Sequence, residues 1–314
     1  MALNHSIARA WASQAEVGAS LKPSNKDRSA TSRSATMQAY AELHCISNFT
    51  FLRGASFPEE LVERAEVLGY SAIAITDECS LSGVVRAHMA AKERSIKLII
   101  GSEFVLRETA TEPVQDEQMI RKALDEPLAR NRNALNNGMR IVLLALNRKG
   151  YGELSHLISC ARLQANKGEY RIDSKLLQEK FSNDCALLWI PNLKQSDACI
   201  ESQAGYLREL TVDNLWIAAE LLLNGYDRLK LKRLRKLGKS FDIPVCAAGG
   251  VYMHEAGRRI VQDTLTAIRL GQPLAEIGFA AEPNSQRHLR AIEQLKKLYP
   301  AQLLEETLII ANRC

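Results

Sequence analysis

Short apolar runs alternate along the chain with longer segments in which apolar residues recur every three or four positions. Residues 71–76 (SAIAIT) contain four consecutive apolar residues, typical of a strand that is covered on both faces. Residues 57–69 (FPEELVERAEVLG) place Pro58 in the first turn and Gly69 at the end, which predicts a helix. Residues 40–100 therefore predict β-α-β-α-β order with parallel strands and right-handed crossovers.

The same alternation continues towards the end of the chain, interrupted at 107–137 by a charged, Asn-rich insertion. Further strands are predicted at 40–46, 96–101, 139–146, 185–191, 214–223 and 242–250. Further helices are predicted at 81–95, 151–164, 226–240, 255–270, 286–297 and 302–312. An alternation of this length with short buried strands favours a closed α/β barrel over an open sheet.

The amino-terminal segment has a different composition. Residues 20–36 hold seven Ser and Thr together with Lys, Arg and Asn, and offer little apolar surface to bury. We therefore expect residues 1–36 to be a disordered extension. Their Arg, Ser and Ala content leaves a transit peptide as the alternative interpretation.

Composition narrows the class of protein. The 314 residues are 46% hydrophobic and 25% charged, and no apolar run approaches the length of a membrane span. Residues 1–36 supply +3 of the net charge of +5, so the remainder is close to neutral and any DNA contact must come from a local patch. Seven cysteines without CxxC spacing indicate reduced thiols, which favours a cytoplasmic protein without a membrane partner.

Potential metal ligands stand at the carboxyl ends of the predicted strands, where a barrel of this kind places its chemistry. They are His44, Asp77, Glu78 and Glu103. One imidazole and several carboxylates are ligands for Mn, Fe, Zn or Mg. The alternative is structural: Asp77 caps the helix that follows it, and Glu103 pairs with a Lys or Arg in the barrel mouth.

Basic and aromatic residues raise a second question. Residues 228–239 contain seven Lys and Arg within one predicted helix. A phosphate-contacting face is one interpretation. We favour a solvated outer face of the barrel, with Leu231, Leu234 and Leu237 as the buried stripe of the helix. Trp189 and Trp216 stand in apolar runs and are predicted to lie in the core.

Four segments together resemble the amino-terminal PHP (polymerase and histidinol phosphatase) domain of bacterial C-family DNA polymerases, and the error-prone branch most closely. These segments are 40–56, 65–88, 99–104 and 261–278. The resemblance extends over roughly 39–314. It implies a distorted (β/α)7 barrel at 37–285, and a helical start at 286–314 of the linker to a polymerase palm that the chain does not reach.

The resemblance also implies a metal-binding pattern that this chain keeps only in part. The retained positions are His44, Asp77 and Glu103. The substituted positions are Ile46, Arg53, Glu78, Gly250 and Tyr252. They stand where the family pattern has the second His of His-x-His, an Asp before Gly54, the His of Thr-Asp-His, and both residues of a late Asp-x-His. We therefore expect a degenerate metal site, with no bound metal and no catalytic residue in this chain.

The function implied by the resemblance is that of the PHP-domain portion of an error-prone polymerase in translesion synthesis and damage-induced mutagenesis. The implied partners are DNA, the remaining polymerase domains and mutagenesis accessory proteins, and Mg²⁺ belongs to the full-length polymerase. A second hypothesis is a PHP phosphoesterase or 3′–5′ exonuclease that uses His44, Asp77 and Glu103, with Glu78 or His254 recruited. A third is a non-functional remnant.

Overall fold

The computed structural model describes residues 39–107 and 138–314. The predicted disordered extension at 1–36, and all of the predicted insertion except Arg107, lie outside the described residues. Seven strands form one sheet in chain order. They are β1 (Ala41–Glu42), β2 (Ala72–Ile75), β3 (Lys97–Leu106), β4 (Met139–Ala145), β5 (Cys185–Ile190), β6 (Leu215–Glu220) and β7 (Val245–Ala248).

Strand β4 runs against both of its neighbours, whereas the pairs β1–β2, β2–β3, β5–β6 and β6–β7 are parallel. Strand β3 continues to Leu106, which lies opposite Met139 at the start of β4. The chain thus enters β4 at the end of the barrel where β3 finishes. The direction of β4 was not predicted from the sequence, and the reversal places the first residues of β4 beside the carboxyl ends of the parallel strands.

The sheet closes on itself through the segment that follows β1. The backbone N–H of Val251 donates to the carbonyl of His44 at 3.0 Å, and the N–H of Ile46 donates to the carbonyl of Val251 at 2.9 Å. A bridge between Cys45 and Val251 thereby joins the segments after β1 and β7. The predicted α/β barrel is confirmed as a nearly closed barrel of seven strands.

The described residues also form nine α-helices. They are α1 (Pro58–Val67), α2 (Val84–Lys92), α3 (Arg148–Leu163), α4 (Ser174–Lys180), α5 (Asp197–Leu210), α6 (Asp227–Phe241), α7 (Arg259–Leu270), α8 (Ile292–Leu298) and α9 (Ala301–Arg313). Sequence reasoning missed α4 and α5, and placed the start of α8 six residues too early. None of these helices combines the length and apolar character needed to cross a bilayer.

Two apolar clusters separate the outside of the barrel from its interior. The outer cluster joins the strands to the helices and contains Trp189, which is fully buried. The inner cluster fills the barrel and contains Trp216 and, from α9, Ile310 and Ala311. The predicted core positions of both tryptophans are confirmed, and all seven cysteines are free thiols.

Helix α9 covers the end of the barrel at which the parallel strands begin. The hydroxyl of Thr307 accepts a hydrogen bond from the N–H of Ala41 at 3.2 Å. The indole N–H of Trp216 donates to Glu306 at 2.8 Å. Residues 286–314 therefore pack on the barrel, and their assignment as the start of a linker stays a prediction.

Candidate functional site

Charged side chains replace apolar ones at the end of the barrel interior where the parallel strands finish. Glu103 of β3 and Glu220 of β6 lie on the same inward face as Ile99 and Ala218 of the inner cluster. Arg140 shares its face with Val142 in the reversed strand β4. Eight charged or polar side chains meet here in what we call the mouth cluster: His44, Arg53, Glu78, Glu103, Arg140, Glu220, Tyr252 and Arg287.

His44 lies at the centre of the mouth cluster, 1% exposed. Its Nε2 lies 2.8 Å from Glu103 Oε2 and its Nδ1 lies 2.8 Å from Glu220 Oε1. Because ionised carboxylates only accept hydrogen bonds, an imidazolium that donates from both nitrogens satisfies this geometry. Burial acts to lower the pKa of His44, but the bonds to Glu103 and Glu220 outweigh it and raise the pKa to about 9.

Arg53 occupies the space in front of Glu103. Its guanidinium donates to Glu103 at 2.9 Å, to the hydroxyl of Tyr252 at 3.2 Å and to Glu78. Glu78 accepts a further hydrogen bond from the hydroxyl of Tyr170 at 2.8 Å. Burial acts to raise the pKa of Glu103, but Arg53 and His44 hold it well below its usual range. The predicted pairing of Glu103 with an Arg is confirmed.

Two further arginines complete the cluster on the side of β6. Arg140 donates to Glu220 at 2.8 Å, and Arg287 lies 3.9 Å from the same carboxylate. The guanidinium of Arg287 also stacks on the ring of Tyr252, with 4.4 Å to the centroid. Burial acts to raise the pKa of Tyr252, but these cations and Arg53 lower it. Each carboxylate thus has an arginine partner.

Asp77 does not cap the helix that follows it, so that prediction is wrong. Helix α2 begins after Gly83, without a side-chain cap. Asp77 instead accepts hydrogen bonds from the N–H and hydroxyl of Ser47, both at 2.8 Å, and from the hydroxyl of Thr50 at 2.7 Å. The carboxylate stabilises the 47–50 turn that leads to Arg53. Burial raises the pKa of Asp77 against these bonds.

Gly250 approaches the mouth cluster with its backbone. Its φ of +56° lies in the left-handed region that favours glycine. A Cβ at this position would lie 2.7 Å from the carboxylate carbon of Glu220 and 3.0 Å from a guanidinium nitrogen of Arg287. The local conformation and the close neighbours both disfavour a side chain at this position. Ile46, at another substituted position, is fully buried.

The structure therefore brings most of the predicted site residues together and separates a few of them. His44, Glu103, Arg53, Glu78 and Tyr252 are in direct contact through the mouth cluster. His254, which the enzyme hypothesis considered as an additional site residue, instead lies with its Nδ1 2.8 Å from the hydroxyl of Ser56. Sequence reasoning missed Arg140, Glu220 and Arg287. Arg140 and Glu220 could have been found from the sequence, because each is a charged residue on the strand face whose other residues are apolar.

The charge of His44 makes the stability of the fold depend on pH. Its folded pKa of about 9 lies above its usual 6.5, so its contribution is full below pH 6.5 and is lost as pH rises through 9. We expect the free energy of unfolding to fall by about 2 kcal/mol between pH 7 and 8.5, from the 1.36 kcal/mol that one pKa unit represents. Urea denaturation at a series of pH values measures this. Equal stability at pH 7 and 8.5 would contradict a charged His44. The control variant is His156→Ala, which changes an exposed histidine of α3, and it should preserve the decline in stability.

Glu103 and Glu220 make the stability of the fold depend on pH in the acidic range. Burial acts to raise their pKa values, but the arginines and His44 lower them below 4.5. Their contribution is therefore present above pH 4.5 and is lost as pH falls further. The cluster should be most stable between about pH 5 and 6.5.

A nearly closed seven-stranded α/β barrel with its polar cluster at the strand ends is the architecture expected of the PHP class. The family model described as PHP domain matches residues 42–230, and the chain belongs to this family. An error-prone DNA polymerase from Methylococcus capsulatus is 46% identical over 275 residues, which are 88% of this chain and 23% of that protein. An error-prone DNA polymerase from Dechloromonas aromatica is 43% identical over 89% of this chain and 24% of that protein.

The chain thus spans about a quarter of the length of the curated relatives that it matches. Among solved structures, an amidohydrolase from Chromobacterium violaceum with bound sulfate and no metal aligns with a TM-score of 0.47. It is 11% identical, and the alignment covers 68% of this chain and 88% of that one.

Proposed function

We propose that this chain acts as the PHP-domain portion of an error-prone DNA polymerase in translesion synthesis and damage-induced mutagenesis. The identity of 46% to a protein of that name, over 88% of this chain, supports the proposal. The partners that we propose are DNA, the remaining polymerase domains and mutagenesis accessory proteins. The proposed location is the cytoplasm, and Mg²⁺ is the proposed cofactor of the whole polymerase.

Within that polymerase, we propose that the barrel is a structural and docking module with a degenerate metal site. The observation that carries this proposal is the arginine-filled mouth. Arg53 bonds Glu103, and Arg140 bonds Glu220, so the carboxylates that face His44 are already neutralised. A divalent cation placed among these guanidinium groups would meet repulsion in a poorly solvated environment.

The donor set of the retained residues does not fit a metal ion. A histidine ligand needs a ring nitrogen with a free lone pair, and both nitrogens of His44 face carboxylates to which they donate. Asp77 is turned towards Ser47 and Thr50 and has three hydrogen bonds there. Within residues 39–107 and 138–314, no group of three His, Cys, Asp or Glu side chains has a geometry suited to a metal.

The purified chain should contain no stoichiometric Mn, Fe or Zn and should show no phosphoesterase or 3′–5′ exonuclease activity above background. Elemental analysis and hydrolysis of a phosphomonoester and of single-stranded DNA measure this. Since the retained residues act structurally, His44→Ala should lower stability and change neither metal content nor hydrolysis.

The matched control is His156→Ala, because His156 is exposed on α3 and reports adventitious binding by a surface imidazole. About one metal per chain that disappears in His44→Ala but not in His156→Ala, together with a hydrolytic activity, would establish the enzyme hypothesis instead. That outcome would also require His44 to exchange its carboxylate partners for a metal.

A further inference from the structure

The outer surface of α6 carries a line of cations that the mouth cluster does not use. Seven Lys and Arg lie between Arg228 and Lys239. Two of them are engaged: Arg233 bonds Asp197 at 2.7 Å, and the ammonium group of Lys230 donates to the carbonyl of Glu220 at 2.6 Å. The other five are exposed, and we call them the α6 stripe: Arg228, Lys232, Arg235, Lys236 and Lys239.

The five members of the α6 stripe share one face of the helix. They follow Arg228 at intervals of four, seven, eight and eleven residues, which places them within roughly 100° around the helix axis. The stripe is about 16 Å long at 1.5 Å per residue. Side chains at these spacings are neighbours on a helix surface, so their positive charges add up to one local positive potential.

The packing of α6 holds this face outward. Leu234 is fully buried, and Leu231 and Leu237 pack against the outer cluster as predicted from the sequence. Gly238 is also buried, and a Cβ there would lie 2.6 Å from the carbonyl oxygen of Ile243. Since the helix touches the barrel so closely at this point, it cannot rotate to hide the stripe.

The two acidic residues at the ends of α6 have other partners. Asp227 accepts hydrogen bonds from the N–H groups of Leu222 and Asn224, at 2.8 and 3.0 Å. Asp242 pairs with Arg208 at 3.0 Å. No carboxylate within the described residues forms an ion pair with a member of the α6 stripe, so these five positive charges have no counter-ion within residues 39–107 and 138–314.

We propose that the α6 stripe binds the phosphate backbone of DNA. Lys and Arg that neutralise phosphates release condensed counter-ions, and this supplies affinity without reading sequence. The near-neutral charge of residues 37–314 makes the stripe a local feature rather than part of a uniformly basic surface. The choice of DNA as the phosphate polymer rests on the proposed function, whereas the binding of a polyanion rests on the stripe alone.

The test compares two charge-matched variants of the full chain. The stripe variant carries Arg228→Gln, Lys232→Gln, Arg235→Gln, Lys236→Gln and Lys239→Gln. The control variant carries Lys92→Gln, Arg148→Gln, Lys167→Gln, Lys175→Gln and Lys297→Gln, all at exposed positions outside α6. Both lose five positive charges, both keep residues 1–36, and glutamine retains good helix propensity. Circular dichroism and thermal unfolding verify that both are folded.

Binding is measured by fluorescence anisotropy with a short labelled DNA duplex over a range of salt concentrations. We expect the stripe variant to lose at least about tenfold in affinity at low salt, and its salt slope to fall by about one for each phosphate contact removed. The control variant should change by less than about twofold, since its cations are scattered.

Equal losses in both variants would overturn the proposal, because net charge rather than the stripe would then explain binding. Failure of the unmodified chain to bind DNA at low salt would also overturn it. So would stripe-dependent binding of anionic phospholipid vesicles or poly-glutamate without binding of DNA. Metal content and hydrolysis do not involve α6, so this result and the test of the proposed function can fail independently.

Discussion

Replacement of Glu103 by alanine should lower the free energy of unfolding by about 3–5 kcal/mol, the usual cost of removing one partner from a buried ion pair. Glu103 is fully buried and accepts from His44 at 2.8 Å and from Arg53 at 2.9 Å. Its loss leaves Nε2 of His44 without an acceptor and leaves Arg53 with only one of its two carboxylate partners. Urea denaturation at pH 6 measures the change.

The matched control for this prediction is Glu293→Ala. The side chain of Glu293 is 76% exposed and pairs with Lys296 at 2.7 Å on the surface of α8. Exposed pairs of this kind contribute about 0.3–0.5 kcal/mol, so the control should change stability little. A loss below about 1 kcal/mol in Glu103→Ala would show that the mouth cluster is solvated and contributes little to the fold.

Replacement of Gly250 by alanine should destabilise the barrel by about 3 kcal/mol, which adds the cost of a left-handed residue to that of overpacking. The added Cβ would lie 2.7 Å from the carboxylate carbon of Glu220. Glu220 cannot easily retreat, because His44 and Arg140 hold its two oxygens at 2.8 Å each. Thermal and urea denaturation measure the effect.

Gly225→Ala separates the two causes. Gly225 has a φ of +88°, and a Cβ there would meet nothing within 4 Å. The free energy of unfolding of this control variant should therefore fall only by the cost of the left-handed conformation, about 1 kcal/mol. Equal losses at Gly250 and Gly225 would mean that the mouth cluster adapts to a side chain and that the neighbours of Gly250 do not constrain it.

Several of the positions that we predicted to be substituted contact one another or the other residues of the mouth cluster. Arg53 bonds Glu78 and Tyr252, two other residues predicted to be substituted, and also Glu103, which was predicted to be retained. Gly250 leaves the space that Glu220 fills. A buried polar network of this kind is stable only when its members have partners. A set of charged side chains that satisfy one another is what the proposed structural module requires.

The sequence by itself favoured a barrel and indicated the positions of most strands, because continuous apolar runs and helical periodicity are local signals. It also indicated His44, Asp77 and Glu103 as candidate site residues, since they stand at the ends of predicted strands. It indicated the buried stripe of α6 through the spacing of Leu231, Leu234 and Leu237.

Only the tertiary structure decided what those residues do. The reversal of β4 brings Arg140 to the mouth, and no local pattern in residues 139–146 indicates strand direction. Glu220 lies inside an apolar run and becomes an ion partner only because β6 ends beside His44. Asp77 turns to Ser47 because that loop folds back over it. Hydrogen-bond partners far apart in the chain are set by how strands pair and close, and that information is distributed over the whole barrel rather than held in any one segment.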